Sequence, residues 1–210
     1  MNEKLTLFLD SMPIVAILRG ITPDQSIDVV DCLFDAGIQI VEVPLNSPNA
    51  LDSIGLITEK YGNRMLVGAG NALNAIQVRE IADVGGQLIV SPNMNPGVIR
   101  TSVDLGMVAL PGVATPTEAF AALDEGAAGL KAFPGEMLAP SVIKSWRTVL
   151  PTNAKVLPVG GIDANNMSQY WAAGANGFGI GGALYRSNKS LEDIRSDAFE
   201  MVSLARAFMS

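Results

Sequence analysis

The sequence has no histidine and one cysteine, Cys32. Without histidine the chain cannot build a Ser-His-Asp triad or a histidine-rich zinc or iron site. Carbon–carbon chemistry through a histidine-bound metal is excluded as well. Acid–base work must fall to carboxylates, lysine, tyrosine, the cysteine or water. One cysteine permits no intramolecular disulfide, which fits a reducing compartment. No apolar run is long enough to span a bilayer. Residues 1–10 carry mixed charge rather than a charged-then-apolar leader pattern. The expectation is a soluble cytoplasmic protein. Basic residues are outnumbered, 14 Lys+Arg against 21 Asp+Glu, for a net charge of −7. That balance argues against a nucleic-acid or anionic-membrane partner. It leaves anionic small molecules open, because a few local cations can outweigh the global field.

The 210 residues are 49% hydrophobic, enough for one domain, 1–210, with a sizeable core. After a short lead-in helix over 2–11, short apolar runs alternate with helical segments. The runs fall at 14–18, 38–43, 65–69, 87–90, 107–110, 126–131, 155–159 and 177–180. Helix starts carry N-cap and proline signals at Thr22-Pro23, Asn46-Ser47-Pro48 and Thr115-Pro116, and Asp163 reads as a further cap. Glycines such as Gly37, Gly106, Gly126 and Gly174 mark helix ends. Eight strand–helix units, each about 25 residues, predict a (β/α)8 barrel of the TIM type with a short N-terminal helix. A doubly wound open sheet is the alternative.

In such a barrel the C-terminal strand ends form the active-site mouth. The polar residues ending strands are Arg19, Glu42, Asn71, Ser91 and Lys131. Lys131 closes an apolar run that Pro134 then breaks. Desolvation there favours the neutral amine, a nucleophile suited to Schiff-base chemistry; a lysine snorkelling out of a strand end is the plainer reading. Glu42 reads either as a proton shuttle beside Lys131 or as a cap or partner of Arg19. Arg19 suits a substrate carboxylate, because its fork binds two oxygens, or else a salt bridge across the mouth. Gly160-Gly161 and Gly181-Gly182 follow the last two strands, where barrels often bind phosphate through backbone N–H groups and a helix N-terminus. Ordinary tight turns are the alternative. The run GFGIGG at 177–182 is not a dinucleotide fingerprint, since no strand follows its helix. Trp146, Tyr170 and Trp171 read as outer packing or an oligomer contact, and Asp24, Asp28 and Asp31 as a solvated helix face.

Taken in order, AILRGITP (16–23), VEVPLNSP (41–48), VGAG (67–70), LIVSPN (88–93), PGVATPTEAF (111–120), LKAFP (130–134) and VGG (159–161) resemble the pyruvate-dependent class I aldolases of the 2-keto-3-deoxy-6-phospho-sugar-acid type. The resemblance covers nearly the whole chain, and PLNSP after Glu42 is similar to the galactonate branch. It implies a metal- and cofactor-independent homotrimer that cleaves a phosphorylated keto acid to pyruvate and glyceraldehyde 3-phosphate. Lys131 would form the imine and Glu42 would move protons, through a water. Arg19 would hold the pyruvoyl carboxylate, Val159 would line the pocket, and Gly160, Gly161, Gly181 and Gly182 would hold phosphate. Asn71 and Pro92 join the substrate-contacting set. Two positions depart from the family: Asn71 stands for its threonine and Gly182 for its serine. A hydrogen bond to a charged group is worth about 1.5–3 kcal/mol, so weaker phosphate selectivity is expected. The gluconate epimer, 4-hydroxy-2-oxoglutarate, a sugar-phosphate epimerase using Glu42 as base, and an idle phosphate-binding homologue stay open as alternatives.

Overall fold

Each strand is a short apolar run buried along its whole length, as a strand must be when sheet and helices cover both faces. A computed structural model describes residues 3–209; Asn2, placed in the lead-in helix, lies outside them. The helices are α1 (Glu3–Ser11), α2 (Pro23–Ala36), α3 (Ala50–Tyr61), α4 (Ala75–Asp83), α5 (Pro96–Asp104), α6 (Pro116–Asp124), α7 (Pro140–Arg147), α8 (Met167–Ala172) and α9 (Leu191–Met209). The strands are β1 (Ile14–Ile17), β2 (Ile40–Pro44), β3 (Leu66–Gly70), β4 (Leu88–Val90), β5 (Val108–Leu110), β6 (Gly112–Val113), β7 (Leu130–Ala132), β8 (Val156–Pro158) and β9 (Phe178–Ile180).

All registered pairings are parallel. Six strands form one sheet in the order β5-β4-β3-β2-β1-β9, and three form another, β6-β7-β8. Among the described residues the eight expected strands thus appear as nine. Pro111 splits the fifth, because it has no N–H to give the ladder, although its carbonyl still accepts the Lys131 N–H at 2.9 Å. A single parallel bridge, Val159 to Gly179, joins β8 to β9 across the sheets. The strands curl into a half-barrel with helices outside.

Side chains alternate between the two faces of each strand. The outward set, including Ile14, Ala16, Val41, Val67, Ile89, Leu130, Val156 and Ile180, packs with the helices in one large cluster. The inward set, Val15, Ile40, Leu66, Leu88, Val90, Val108, Leu110 and Leu157, forms a second cluster with Leu5, Phe8 and Leu9 of α1. Helix α1 therefore closes the N-terminal end of the inner face. Each such side chain contributes about 1.5–3 kcal/mol by leaving water. Among the described residues, the buried charged side chains Glu42 and Lys131 lie toward the C-terminal strand ends, above this apolar cluster.

Two helix starts differ from expectation. Helix α3 begins at Ala50, with Asn49 left-handed at φ 47°, because Ser47 is used elsewhere: its hydroxyl accepts the Gly20 N–H at 2.9 Å. Helix α8 is only six residues. Asp163 Oδ1 accepts the Asn165 N–H at 2.8 Å and Asn166 Oδ1 accepts the Asp163 N–H at 3.1 Å, so side chains take the backbone groups that an earlier helix would need. Thr115 does cap α6, in a reciprocal capping box with Glu118. Trp146 and Tyr170 are buried, and Trp171 lies 5.0 Å from the Phe208 ring, as outer packing requires. Asp24 and Asp28 are exposed, whereas Asp31 bonds Lys60 and Tyr61.

Candidate active site

The inward register brings the chemistry together. On β2, Glu42 pairs in register with Ile17 of β1 and Gly68 of β3, two residues beyond the apolar Ile40. On β7, Lys131 pairs with Gly112 and Leu157, and Leu157 is an inward residue. Both ionisable side chains are thus carried inward above the apolar floor. Glu42 is 1% exposed and Lys131 4%.

Among the described residues the two form no ion pair within 4.0 Å. Glu42 Oε2 is buried without a hydrogen-bond partner. Burial pushes the Glu42 carboxyl up to about 7, against the pull of the Lys131 and Arg19 charges. Burial likewise lowers Lys131 below its ordinary range; Glu42 opposes that shift and Arg19 reinforces it. The Lys131 Nζ stands 4.6 Å from the centroid of the Phe133 ring. A carboxyl titrating near neutrality beside an amine held toward its neutral form is a proton donor–acceptor set with a nucleophile.

At the mouth, Arg19 is exposed and donates from Nη1 to Asn46 Oδ1 at 3.0 Å. Asn71 Nδ2 donates to the same oxygen at 3.1 Å. Asn71 itself is left-handed, φ 59°, a conformation asparagine tolerates better than most residues. The sequence singled out Arg19 and Asn71 but missed Asn46, whose side chain ties them together.

A cavity of about 380 Å³ opens beside Lys131, and Arg19, Phe133, Val159, Gly160, Gly161, Gly181 and Gly182 line it. Seven of the ten residues singled out from the sequence meet there. Glu42, Asn71 and Pro92 are not in the lining: Glu42 is buried, Asn71 reaches Arg19 only through Asn46, and the Pro92 carbonyl abuts Gly112. Gly160 and Gly161 have φ of +107° and +65°, so this turn requires glycine. Regular helix does not follow the glycine pairs directly: α8 starts at Met167 and α9 at Leu191.

The family model for KDPG and KHG aldolase matches residues 6–202. The chain belongs to the KDPG and KHG aldolase family. It is 45% identical over 195 residues to the 2-dehydro-3-deoxy-6-phosphogalactonate aldolase of Escherichia coli K12, covering 93% of this chain and 95% of that one. It is 45% identical to the probable 2-dehydro-3-deoxy-6-phosphogalactonate aldolase of Rhizobium meliloti, covering 89% and 88%. The solved native KDPGal structure superposes with a TM-score of 0.92 at 45% identity, covering 93% and 95%. These relatives are aldolases, and aldolases are lyases. Among the described residues no helix is long and apolar enough to cross a membrane.

Sequence reasoning singled out Lys131 and the glycine turns, which line the cavity, and Glu42, which is buried on the same inner face. It missed Asp163 and Arg186, which line the same cavity. Asp163 carried only a helix-cap signal. Arg186 follows Gly182 at no diagnostic spacing, and only the folded turn brings it back to the loop, where its Nε donates to the Gly182 carbonyl at 2.9 Å.

Proposed function

We propose that this enzyme cleaves 2-dehydro-3-deoxy-6-phosphogalactonate to pyruvate and glyceraldehyde 3-phosphate through an imine on Lys131. The observation that carries this reading is the burial of Lys131 and Glu42 on one inner face without an ion pair. A lysine serving only as an electrostatic anchor, as in an epimerase, needs its charge, and burial works against that charge.

The neutral Lys131 amine attacks the C2 ketone, and the resulting carbinolamine loses water to give the iminium. The C4 hydroxyl then gives up its proton, the C3–C4 bond breaks, and its electron pair enters the iminium to form an enamine. Glyceraldehyde 3-phosphate leaves. C3 of the enamine takes a proton, and water releases pyruvate and restores the amine. Glu42 moves the protons. A carboxyl with a pKa near 7 is suited to both directions of transfer at neutral pH. Arg19, steadied by Asn46, holds the pyruvoyl carboxylate, and Val159 lines the pocket. Asn71 steadies Asn46, and Pro92 packs against Gly112 outside the cavity lining. Gly160, Gly161, Gly181 and Gly182 receive the phosphate end.

The enzyme acts as one (β/α)8 domain. The Val159–Gly179 bridge and the Lys131 N–H bond to Pro111 support closure of the curled sheets. A cytoplasmic homotrimer is the matching assembly. Pyruvate and sodium borohydride, followed by peptide mass spectrometry, test the chemistry: a reduced pyruvoyl adduct on Lys131 is expected, and no adduct on any lysine rejects it. Cleavage of the galactonate and gluconate epimers side by side tests the substrate; preference for the gluconate form rejects the assignment.

A further inference from the structure

A second cavity, of about 320 Å³, lies outside the site described above, between α2, α9 and the chain after β9. Asp24 and Asp28, one turn apart on α2, line it, and Val29, Leu191 and Ile194 give it an apolar side. Neither carboxylate has an ion-pair partner within 4.0 Å among the described residues. Lys189 also lines the cavity, but its ammonium is already engaged: it pairs with Asp197 and donates to the Ala183 carbonyl at 2.9 Å. The uncompensated charge of the lining is therefore negative.

Tyr185 lines the same cavity and is 4% exposed, and its hydroxyl is buried with no hydrogen-bond partner among the described residues. Burial raises its pKa and the Asp24 charge raises it further, so the phenol keeps its proton beside the acidic side of the cavity. A buried hydroxyl left unpaired is destabilising, and phenylalanine would pack the same ring without that cost. The hydroxyl, two unpaired carboxylates and an apolar side together fit a guest that carries positive charge and donates hydrogen bonds. The described residues hold no group of three or more His, Cys, Asp or Glu that could bind a metal ion, so the cation that fits is organic.

We infer that this cavity binds a small organic cation, a primary ammonium on a short apolar group, with Tyr185, Asp24 and Asp28 accepting its N–H groups. The site is separate from the substrate cavity and stands whether or not Lys131 forms an imine. The two cavities share one turn of chain. Gly181, Gly182 and Ala183 line the substrate cavity, Tyr185 lines this one, and the Tyr185 N–H donates to the Gly181 carbonyl at 2.9 Å.

The test is a titration of the full chain, methyl-labelled at Ile, Leu and Val, with phenethylammonium chloride at constant ionic strength, followed by NMR. Saturable shifts are expected at Val29, Leu191 and Ile194, with a Kd below about 5 mM. A weaker Kd overturns the inference, as do shifts confined to Ile17, Val159 and Ile162, which line the substrate cavity. Phenylethanol and phenylacetate carry the same ring without the positive charge and should bind at least about tenfold more weakly; equal binding means that the carboxylates do not read charge and rejects the site. Asp28→Asn and Tyr185→Phe should each weaken phenethylammonium about tenfold, and unchanged affinity in both contradicts the assignment. Tyr185→Phe should meanwhile be as stable as the parent or more so in urea, because the hydroxyl it removes has no partner. A loss of stability would show that the hydroxyl is already bonded and would also overturn the inference.

Discussion

Gly70 stands where any side chain would collide with the Glu42 carboxylate. A Cβ built on Gly70 would lie 2.6 Å from Glu42 Cδ and 2.7 Å from Oε1, and closer still to Oε2. The two residues are neighbours because Pro44, two positions after Glu42, pairs in register with Gly70. The Glu42 side chain therefore leans toward the strand ends across a gap left by a missing methyl group. Gly70→Ala should push the carboxylate aside. Displacement of a reacting group by about 1 Å costs on the order of 100-fold, so kcat is expected to fall by about that factor. Steady-state kinetics on a variant shown folded by circular dichroism would check this; a kcat within about threefold of the parent would remove Gly70 from the positioning role.

Glu42 should also make stability depend on pH. Its pKa is raised from 4.5 to about 7 in the folded state, so the folded protein binds more protons than the unfolded chain between those values. Stability then falls as pH rises through that window and levels off above it. The full effect corresponds to about 3 kcal/mol. Glu42→Gln removes the titration. Relative to the parent, the variant should gain up to about 3 kcal/mol between pH 5 and pH 8 in urea denaturation, while losing most aldol cleavage. A constant difference between the two proteins across that range contradicts the assigned shift.

Lys131 works in the opposite sense. Its pKa is lowered from 10.5, so below that value the unfolded chain binds the extra proton and stability rises with pH. Lys131→Met removes a buried amine, and the thioether fills a similar volume. It should be inactive, and its stability advantage over the parent should be larger on the acid side of the lysine's folded pKa than at pH 10. Lys131→Arg should be equally inactive, because a guanidinium stays charged and forms no imine. Detectable turnover by either variant in a pyruvate-coupled assay would exclude the lysine imine.

How much of this was legible beforehand differs between elements. Strand runs such as 14–18 and 107–110 were readable because burial on both faces leaves an uninterrupted apolar stretch. The inward positions of Glu42 and Lys131 follow from strand alternation once their strands are placed. What was not legible came from side chains bonding back to backbone. Asp163 and Asn166 consume the groups that would have started α8 earlier, and Ser47 turns to Gly20 instead of capping α3. Pro111 was visible as the end of the fifth strand, yet the resumption of pairing at Gly112 was not, because it depends on β7 being alongside. Arg186 could not have been assigned to the cavity, since its place depends on how the chain folds after Gly182.

Asn46 was seen only as part of a helix-start pattern, and its position in the fold leads to the last prediction. Its single carbonyl oxygen accepts from Arg19 at 3.0 Å and from Asn71 at 3.1 Å. Both donors are long or flexible and reach the same point, so the amide fixes the direction of the Arg19 fork before substrate arrives. Without it, binding a carboxylate must also order the guanidinium, which costs about 0.5–1.5 kcal/mol for a side chain of this kind. Asn46→Ala should therefore raise KM for pyruvate in the condensation direction by about 2- to 12-fold and leave kcat within about threefold. Asn46→Asp should be worse despite keeping the acceptor, because its carboxylate competes with the substrate for the same guanidinium. Added salt would screen that exposed charge, so the Asp variant's KM should recover partly at high ionic strength while the Ala variant's does not. If the two variants respond to salt alike, Asn46 does not act through Arg19.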